Sequence, residues 1–223
     1  MELKLAPSIL TADFARLGPD LQSVSEWVDW FHLDVMDGHY VENITFRPTV
    51  VEAIRKVVDQ PLHVHLMISD PPRYVEWFAR VGADRISFHP EVVEDVRAVI
   101  DQIRAAGAQP GLAVHPDVGI DRIAPFISDI AVVLMMTVRP GFGGQSYLDH
   151  VTPKIAEARA LVEKTGSDAD IEVDGGINLT TVDRAVHAGA EIVVAGSAIF
   201  DGRNPPAAAR RMRERLEVLR TGK

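Results

Sequence analysis

Trp30-Phe31-His32-Leu33-Asp34-Val35-Met36-Asp37-Gly38-His39 begins as an apolar run and ends in Asp-Gly. That is the pattern of a buried strand running out into a loop. Residues two apart in a strand point to one face, so His32 and Asp34 share a face just before the loop. Burying an imidazole and a carboxylate side by side costs several kcal/mol unless they are paired or bind a metal. The pattern therefore points to a chemical role at a strand end.

Working outward, further strand-like runs occur at 3–8, 62–67, 85–89, 109–114, 130–137, 171–174 and 192–195. Helical patterns occupy 14–28, 49–58, 72–81, 92–105, 120–127, 152–164, 180–188 and 206–219. Gly82, Gly107, Gly166 and Gly189 each follow a helical stretch, where a left-handed stop residue belongs. Eight strand–helix units in 223 residues come to roughly 28 residues each, which fits βα units. The expectation is an α/β fold, a single (β/α)8 TIM barrel domain over residues 1–223. The competing open, doubly wound sheet puts a glycine-rich phosphate loop after its first strand. Here the first strand ends Pro7-Ser8-Ile9-Leu10, and the glycine-rich turns follow the sixth, seventh and eighth strands instead.

Composition narrows the function classes. A net charge of −9 argues against nucleic acid as the main partner. Cysteine is absent, so any metal must use histidines and carboxylates. The first ten residues lack the apolar core of a secretory signal, and the longest apolar run, 130–136, is too short to span a bilayer. The expected location is cytoplasmic, with no membrane partner. Arg210, Arg211, Arg213, Arg215 and Arg220 are interleaved with Glu214 and Glu217 and read as a solvated helix face.

Strand C-termini of a barrel converge on one mouth. There the pattern gathers Ser8, His32, Asp34, His65, Met67, Met136 and Asp174. Two imidazoles and two carboxylates converging on one point suit one divalent metal ion, Zn2+, Fe2+, Mn2+ or Co2+, with His32, Asp34, His65 and Asp174 as ligands. His63, one layer deeper, reads as a hydrogen-bonded core residue. His39, His89, His115, His150 and His187 read as structural or exposed, and Asp37 as a turn former or a support for a ligating histidine. Pro140-Gly141-Phe142-Gly143-Gly144-Gln145, Gly175-Gly176 and Gly196-Ser197 follow three consecutive strands. Glycines let backbone N–H groups approach an anion, so these turns predict a phosphate site; the alternative is tight turns forced by short loops. Met36, Met67 and Met136 lie near the mouth, as core filler or as an apolar cap over a planar intermediate.

With these motifs in place, the chain resembles the ribulose-phosphate 3-epimerase family. The resemblance runs from Ala6-Pro7-Ser8-Ile9-Leu10 almost to the C-terminus, through the 32–39 stretch, His65-Leu66-Met67, Met136-Thr137-Val138, residues 140–146, 172–176 and 195–200. It implies inversion at C3 of a ketose phosphate, D-ribulose 5-phosphate to D-xylulose 5-phosphate, through a metal-stabilised enediolate. It implies Asp34 and Asp174 as the acid/base pair, with Ser8 and His65 touching substrate. Phosphate would sit on Gly141, Phe142, Gly143, Gly144, Gly175, Gly176, Gly196 and Ser197. The resemblance also implies a homo-oligomer. Tyr40, Glu42, Arg47, His63, His115 and Arg139 depart from the family pattern, which leaves open another ketose phosphate, such as a hexulose 6-phosphate. A barrel that binds sugar phosphates without catalysis is the alternative of another class.

Overall fold

The computed structural model describes residues 2–222. Eight parallel strands form one sheet: β1 (Lys4–Ala6), β2 (Phe31–Met36), β3 (Leu62–Met67), β4 (Arg85–Phe88), β5 (Gln109–Val114), β6 (Val132–Met136), β7 (Asp170–Asp174) and β8 (Ile192–Val194). Each strand from β2 to β7 pairs with the next in sequence, and β8 pairs with β1. The ring closes just beyond β1, where Ser8 bridges to His32 and the His32 N–H donates to Pro7 O at 3.0 Å. This is the (β/α)8 barrel the sequence pattern predicts.

The outer layer holds α1 (Leu17–Val24), α2 (Pro48–Arg55), α3 (Val75–Arg80), α4 (Val96–Ala105), α5 (Thr152–Thr165), α6 (Val182–His187) and α7 (Pro205–Thr221). Because helices cover the sheet, β2 and β3 are buried on both faces along their whole lengths. Gly82, Gly107, Gly166 and Gly189 all take positive φ at their helix ends, as expected.

Several helices differ from the sequence pattern; α3 and α4 begin at Val75 and Val96 rather than at 72 and 92. Residues 120–127 form two 3-10 segments, Ile120–Arg122 and Ala124–Asp129, rather than an α-helix. Pro125 lies inside that stretch and has no N–H to give to a carbonyl four residues earlier. The first helix starts at Leu17 rather than at 14, which puts Pro19 in its first turn, where a missing N–H costs nothing.

Strand parity divides the core. Leu33, Val35, Val64, Leu66, Val133, Met135, Ile171 and Val173 belong to the large cluster between sheet and helices. Their alternate neighbours fill the barrel. On β5, β6 and β8 these are apolar: Ala113, Leu134, Met136, Ile192 and Val194. On β2, β3, β4 and β7 the buried ones are polar, His32, Asp34, His63, His65, Arg85, Ser87, Glu172 and Asp174, apart from Met36 and Met67 at the ends of β2 and β3. Pairing register puts Asp34 level with His65, His32 with His63, and Asp174 with Met136.

The C-terminal arginines are not a uniformly solvated face. Arg210, Arg211 and Arg220 are exposed, but Arg213 is half-buried, donating to Trp27 O at 3.0 Å and to Leu3 O at 3.2 Å, and pairing with Asp29. Arg215 pairs with Asp183 of α6. Asp29 also accepts from the Leu5 N–H at 2.7 Å. Arg213 thus ties α7 to the approach to β2, and the reading of a free helix face is corrected.

Candidate active site

The C-terminal ends of β2, β3 and β7 deliver four polar side chains to one point. His32 Nε2 lies 3.2 Å from Asp34 Oδ1 and 3.9 Å from Asp174 Oδ2. His65 Nδ1 lies 3.1 Å from Asp34 Oδ1 and 4.0 Å from Asp174 Oδ2. The structure therefore brings together all four residues that the sequence pattern nominates for a metal. Their donor atoms lie within 4.8 Å of one another. A tetrahedral set with bonds of about 2.1 Å spaces its donors about 3.4 Å apart, which the four distances bracket. The donor set, two imidazoles and two carboxylates in a buried pocket, fits a divalent cation and supplies no cation of its own beyond a protonated imidazole.

Each ring is held from behind. His32 Nδ1 meets Glu172 Oε1 at 2.9 Å, which leaves Nε2 for the cluster. Glu172 also bonds His63 Nδ1 at 2.9 Å, and His63 Nε2 meets Ser87 Oγ at 2.7 Å. His63 is thus a hydrogen-bonded residue of the barrel interior, as its depth in the strand predicts. Carboxylates behind a ligating imidazole fix which nitrogen stays free.

The two aspartates sit in different fields. Burial alone would raise Asp34, but the His32 and His65 imidazoles hold it well below the usual carboxylate range. Ser8 Oγ also donates to Asp34 Oδ2 at 2.6 Å. Asp174 lacks such donors; burial first, and then the Asp34 charge, push it up to about 8. Burial pushes His65 down to about 3, so its ring is neutral. Burial opposes charge on His32 too, yet the carboxylates around it hold its pKa well above the ordinary value.

Beside this cluster opens a cavity of about 310 Å³ lined by Ser8, Thr11, Asp34, Asp174 and the three glycine turns. Met36, Met67 and Met136 line it and are almost wholly buried. Gly141, Phe142, Gly143, Gly144, Gly175, Gly176, Gly196 and Ser197 all border it. Part of the glycine signal has a packing cause. Gly176 has φ +66°, and a Cβ there would sit 2.3 Å from Tyr147 N; one on Gly175 (φ +119°) would meet Val138 at 2.3 Å. Phe142 is 56% exposed at the tip of its loop. After β8, the Ile199 and Phe200 N–H groups both donate to Gly196 O, closing a single turn.

The family model for ribulose-phosphate 3-epimerases matches residues 4–200. The chain belongs to the ribulose-phosphate 3-epimerase family. Within it, the ribulose-phosphate 3-epimerase of Bacillus subtilis (strain 168) is 44% identical over 200 residues, spanning 89% of this chain and 92% of that protein. The Synechocystis ribulose-phosphate 3-epimerase is 43% identical over 203 residues, 90% and 88% of the two chains. Among solved structures, the 3-hexulose-6-phosphate synthase from Salmonella typhimurium superposes with a TM-score of 0.73 at 19% identity, covering 96% of this chain and 99% of that one. At that identity the likeness extends to the barrel alone.

The remaining expectations divide. His115 and Arg139 do not join the cluster of this epimerase-family chain. Arg139 pairs with Asp117 at 3.1 Å, His115 Nδ1 accepts from the Asp117 N–H, and both line a neighbouring cavity with Tyr40, Glu91 and Phe142. Arg47 is exposed at the start of α2. Asp37 is a turn former that also accepts from Ser69 N and Oγ, both at 2.7 Å, and holds no ligating histidine. His89 is where the sequence reading falls short: it is wholly buried, with Nε2 only 3.0 Å from His65 Nε2. The signal that could find it is strand parity, since His89 follows Arg85 and Ser87 on the inward face of the fourth strand. Among the described residues no helix is long and apolar enough to cross a membrane.

Proposed function

We propose that this chain interconverts D-ribulose 5-phosphate and D-xylulose 5-phosphate by inverting C3, with Asp34 and Asp174 as the two proton carriers. The observation that carries the reading is the pair itself: two buried carboxyls, delivered by β2 and β7 with donor atoms within 4.8 Å of each other, at the edge of a glycine-lined cavity. An epimerisation next to a ketone needs one of the pair ionised and the other protonated. The ionised carboxylate takes the C3 proton, and the C–H electron pair moves toward the carbonyl to give an enediolate. The protonated carboxyl then returns a proton to the other face, and the roles reverse for the return reaction.

His32, Asp34, His65 and Asp174 are the residues that would hold one divalent ion, Zn2+, Fe2+, Mn2+ or Co2+. Bound there, it would supply Lewis-acid stabilisation of negative charge developing on substrate oxygen. Ser8 would orient Asp34 and touch substrate beside His65. Met36, Met67 and Met136 would exclude water from the planar intermediate without offering it a proton. Backbone N–H groups of the three glycine turns would take the phosphate, whose binding energy would orient the distant C3. Self-association belongs to the same reading; it rests on the resemblance, and analytical ultracentrifugation tests it.

The test is solvent exchange. Purified protein with added metal in deuterated water should yield xylulose 5-phosphate carrying deuterium at C3. No exchange and no product would sink the assignment. A second reading, another ketose phosphate as substrate, is favoured by Arg139 and His115 lining a cavity that shares Pro140 and Phe142 with the first. A panel of ketose phosphates under the same conditions separates the two, and tight binding without exchange would favour a binding protein.

A further inference from the structure

His89 has no part in the reaction above, yet it touches His65 from outside the metal-fitting cluster. Pro90 follows it, and a residue before proline is kept out of the helical region. His89 is accordingly extended, at φ −84° and ψ 121°. Its ring sits between two partners. Nε2 lies 3.0 Å from His65 Nε2, and Nδ1 lies 3.3 Å from Glu91 Oε1. The contact falls short of a hydrogen bond, and that buried nitrogen has no other hydrogen-bond partner. Tyr40 OH donates to the same Glu91 oxygen at 2.8 Å, and its ring lies against His89 with centroids 4.8 Å apart.

A metal ion on His65 Nδ1, which otherwise lies 3.1 Å from Asp34 Oδ1, would select one placement of protons. Burial alone would raise Glu91, but His89 and Tyr40 help hold it at about 2, so it is an acceptor only. Burial, and then the Glu91 charge, keep Tyr40 protonated. A carboxylate beside His89 Nδ1 fixes a proton there, and in the neutral ring that leaves Nε2 bare. Two bare nitrogens 3.0 Å apart would repel, so His65 carries its proton on Nε2 and donates it to His89. His65 Nδ1 is then a lone pair for the ion that Asp34 and Asp174 would share with it.

We propose that Tyr40, Glu91 and His89 form a positioning relay that fixes the tautomer of His65, so that Nδ1 is presented to the metal site as a donor. This rests on the reading of His65 as a ligand. Glu172 serves His32 directly; the relay serves His65 through one more ring, and it reaches the neighbouring cavity, which Tyr40 and Glu91 line.

Two measurements test the relay. Long-range 15N–1H correlation spectra of the zinc-loaded wild-type protein should show His89 protonated at Nδ1 with a bare Nε2. A proton on Nε2, alone or with one on Nδ1, overturns the proposal. Chelator competition then gives zinc affinity for the wild type, His89→Leu and His89→Gln. Loss of the acceptor in His89→Leu should weaken binding about 10–100-fold. In His89→Gln the amide oxygen can accept from His65, so affinity should return to within about threefold of wild type. A folded His89→Leu protein with wild-type affinity, or a Gln variant as weak as Leu, overturns the relay. If His89→Leu fails to fold, the wild-type spectra decide. If the wild type itself binds no zinc, the ligand reading of His65 falls and the relay with it; zinc binding with a proton on His89 Nε2 overturns the relay alone.

Discussion

Asp34 and Asp174 meet on a single imidazole nitrogen: His32 Nε2 is 3.2 Å from the first carboxylate and 3.9 Å from the second. They arrive from β2 and β7, far apart in sequence, and their surroundings shift the two carboxyls in opposite directions. Replacing either by asparagine keeps the shape and removes a proton carrier. Asp34→Asn and Asp174→Asn should each lower kcat by about 10²–10⁴-fold. Product formation and C3 deuterium exchange check this, and near-normal turnover in either variant would remove that residue from the proton path.

The same four residues set the metal prediction. Dialysis against a chelator should abolish turnover, and Zn2+, Fe2+, Mn2+ or Co2+ added back should restore it to different levels, since such sites choose metals by geometry and availability. His65→Ala should weaken metal binding by more than about 100-fold, because it removes a donor rather than its support. Equal activity before and after chelation, with metal content measured at zero, would exclude the metal role.

How much of this is legible in the sequence depends on whether the partner lies along one strand. His32 and Asp34 are two apart, so parity alone gives their shared face, and strand ends give His65 and Asp174 as companions. Pairings that need register across the barrel are not readable: Glu172 bridging His32 and His63 spans 140 and 109 positions. His89 looks like a strand-ending turn residue because Pro90 follows it, and its contact with His65 depends on the barrel's closure. Arg213 reads as solvated because Asp29, its partner, lies 184 positions away. At 120–127 the apolar spacing suggests a helix, and Pro125 overrides it.

Gly176 separates packing from phosphate binding in the glycine turns. An alanine there needs φ +66°, and its Cβ would come within 2.3 Å of the Tyr147 backbone. Gly176→Ala should cost about 2–4 kcal/mol of stability from backbone strain and overlap, read from chemical denaturation. The displaced turn should also raise KM for a phosphorylated substrate. A variant of unchanged stability would contradict the close approach of the two loops.

Asp37 provides a pH signature away from the metal site. Burial opposes its charge slightly, but donors from Ser69, Tyr40 and His39 hold its carboxyl at about 2, below the ordinary aspartate value. A carboxyl lowered in the folded state binds fewer protons there than in the unfolded chain, so stability rises with pH across that window. Its contribution is fully present above about pH 4 and is lost as pH falls through about 2. The side chain is partly solvated, so screening reduces the effect to about 1 kcal/mol. Asp37→Asn should therefore be less stable than wild type by about that amount at pH 7, with the two denaturation curves converging as pH falls from about 4 to about 2. A stability difference that stays constant across this range would mean that the Asp37 contacts act through shape rather than charge.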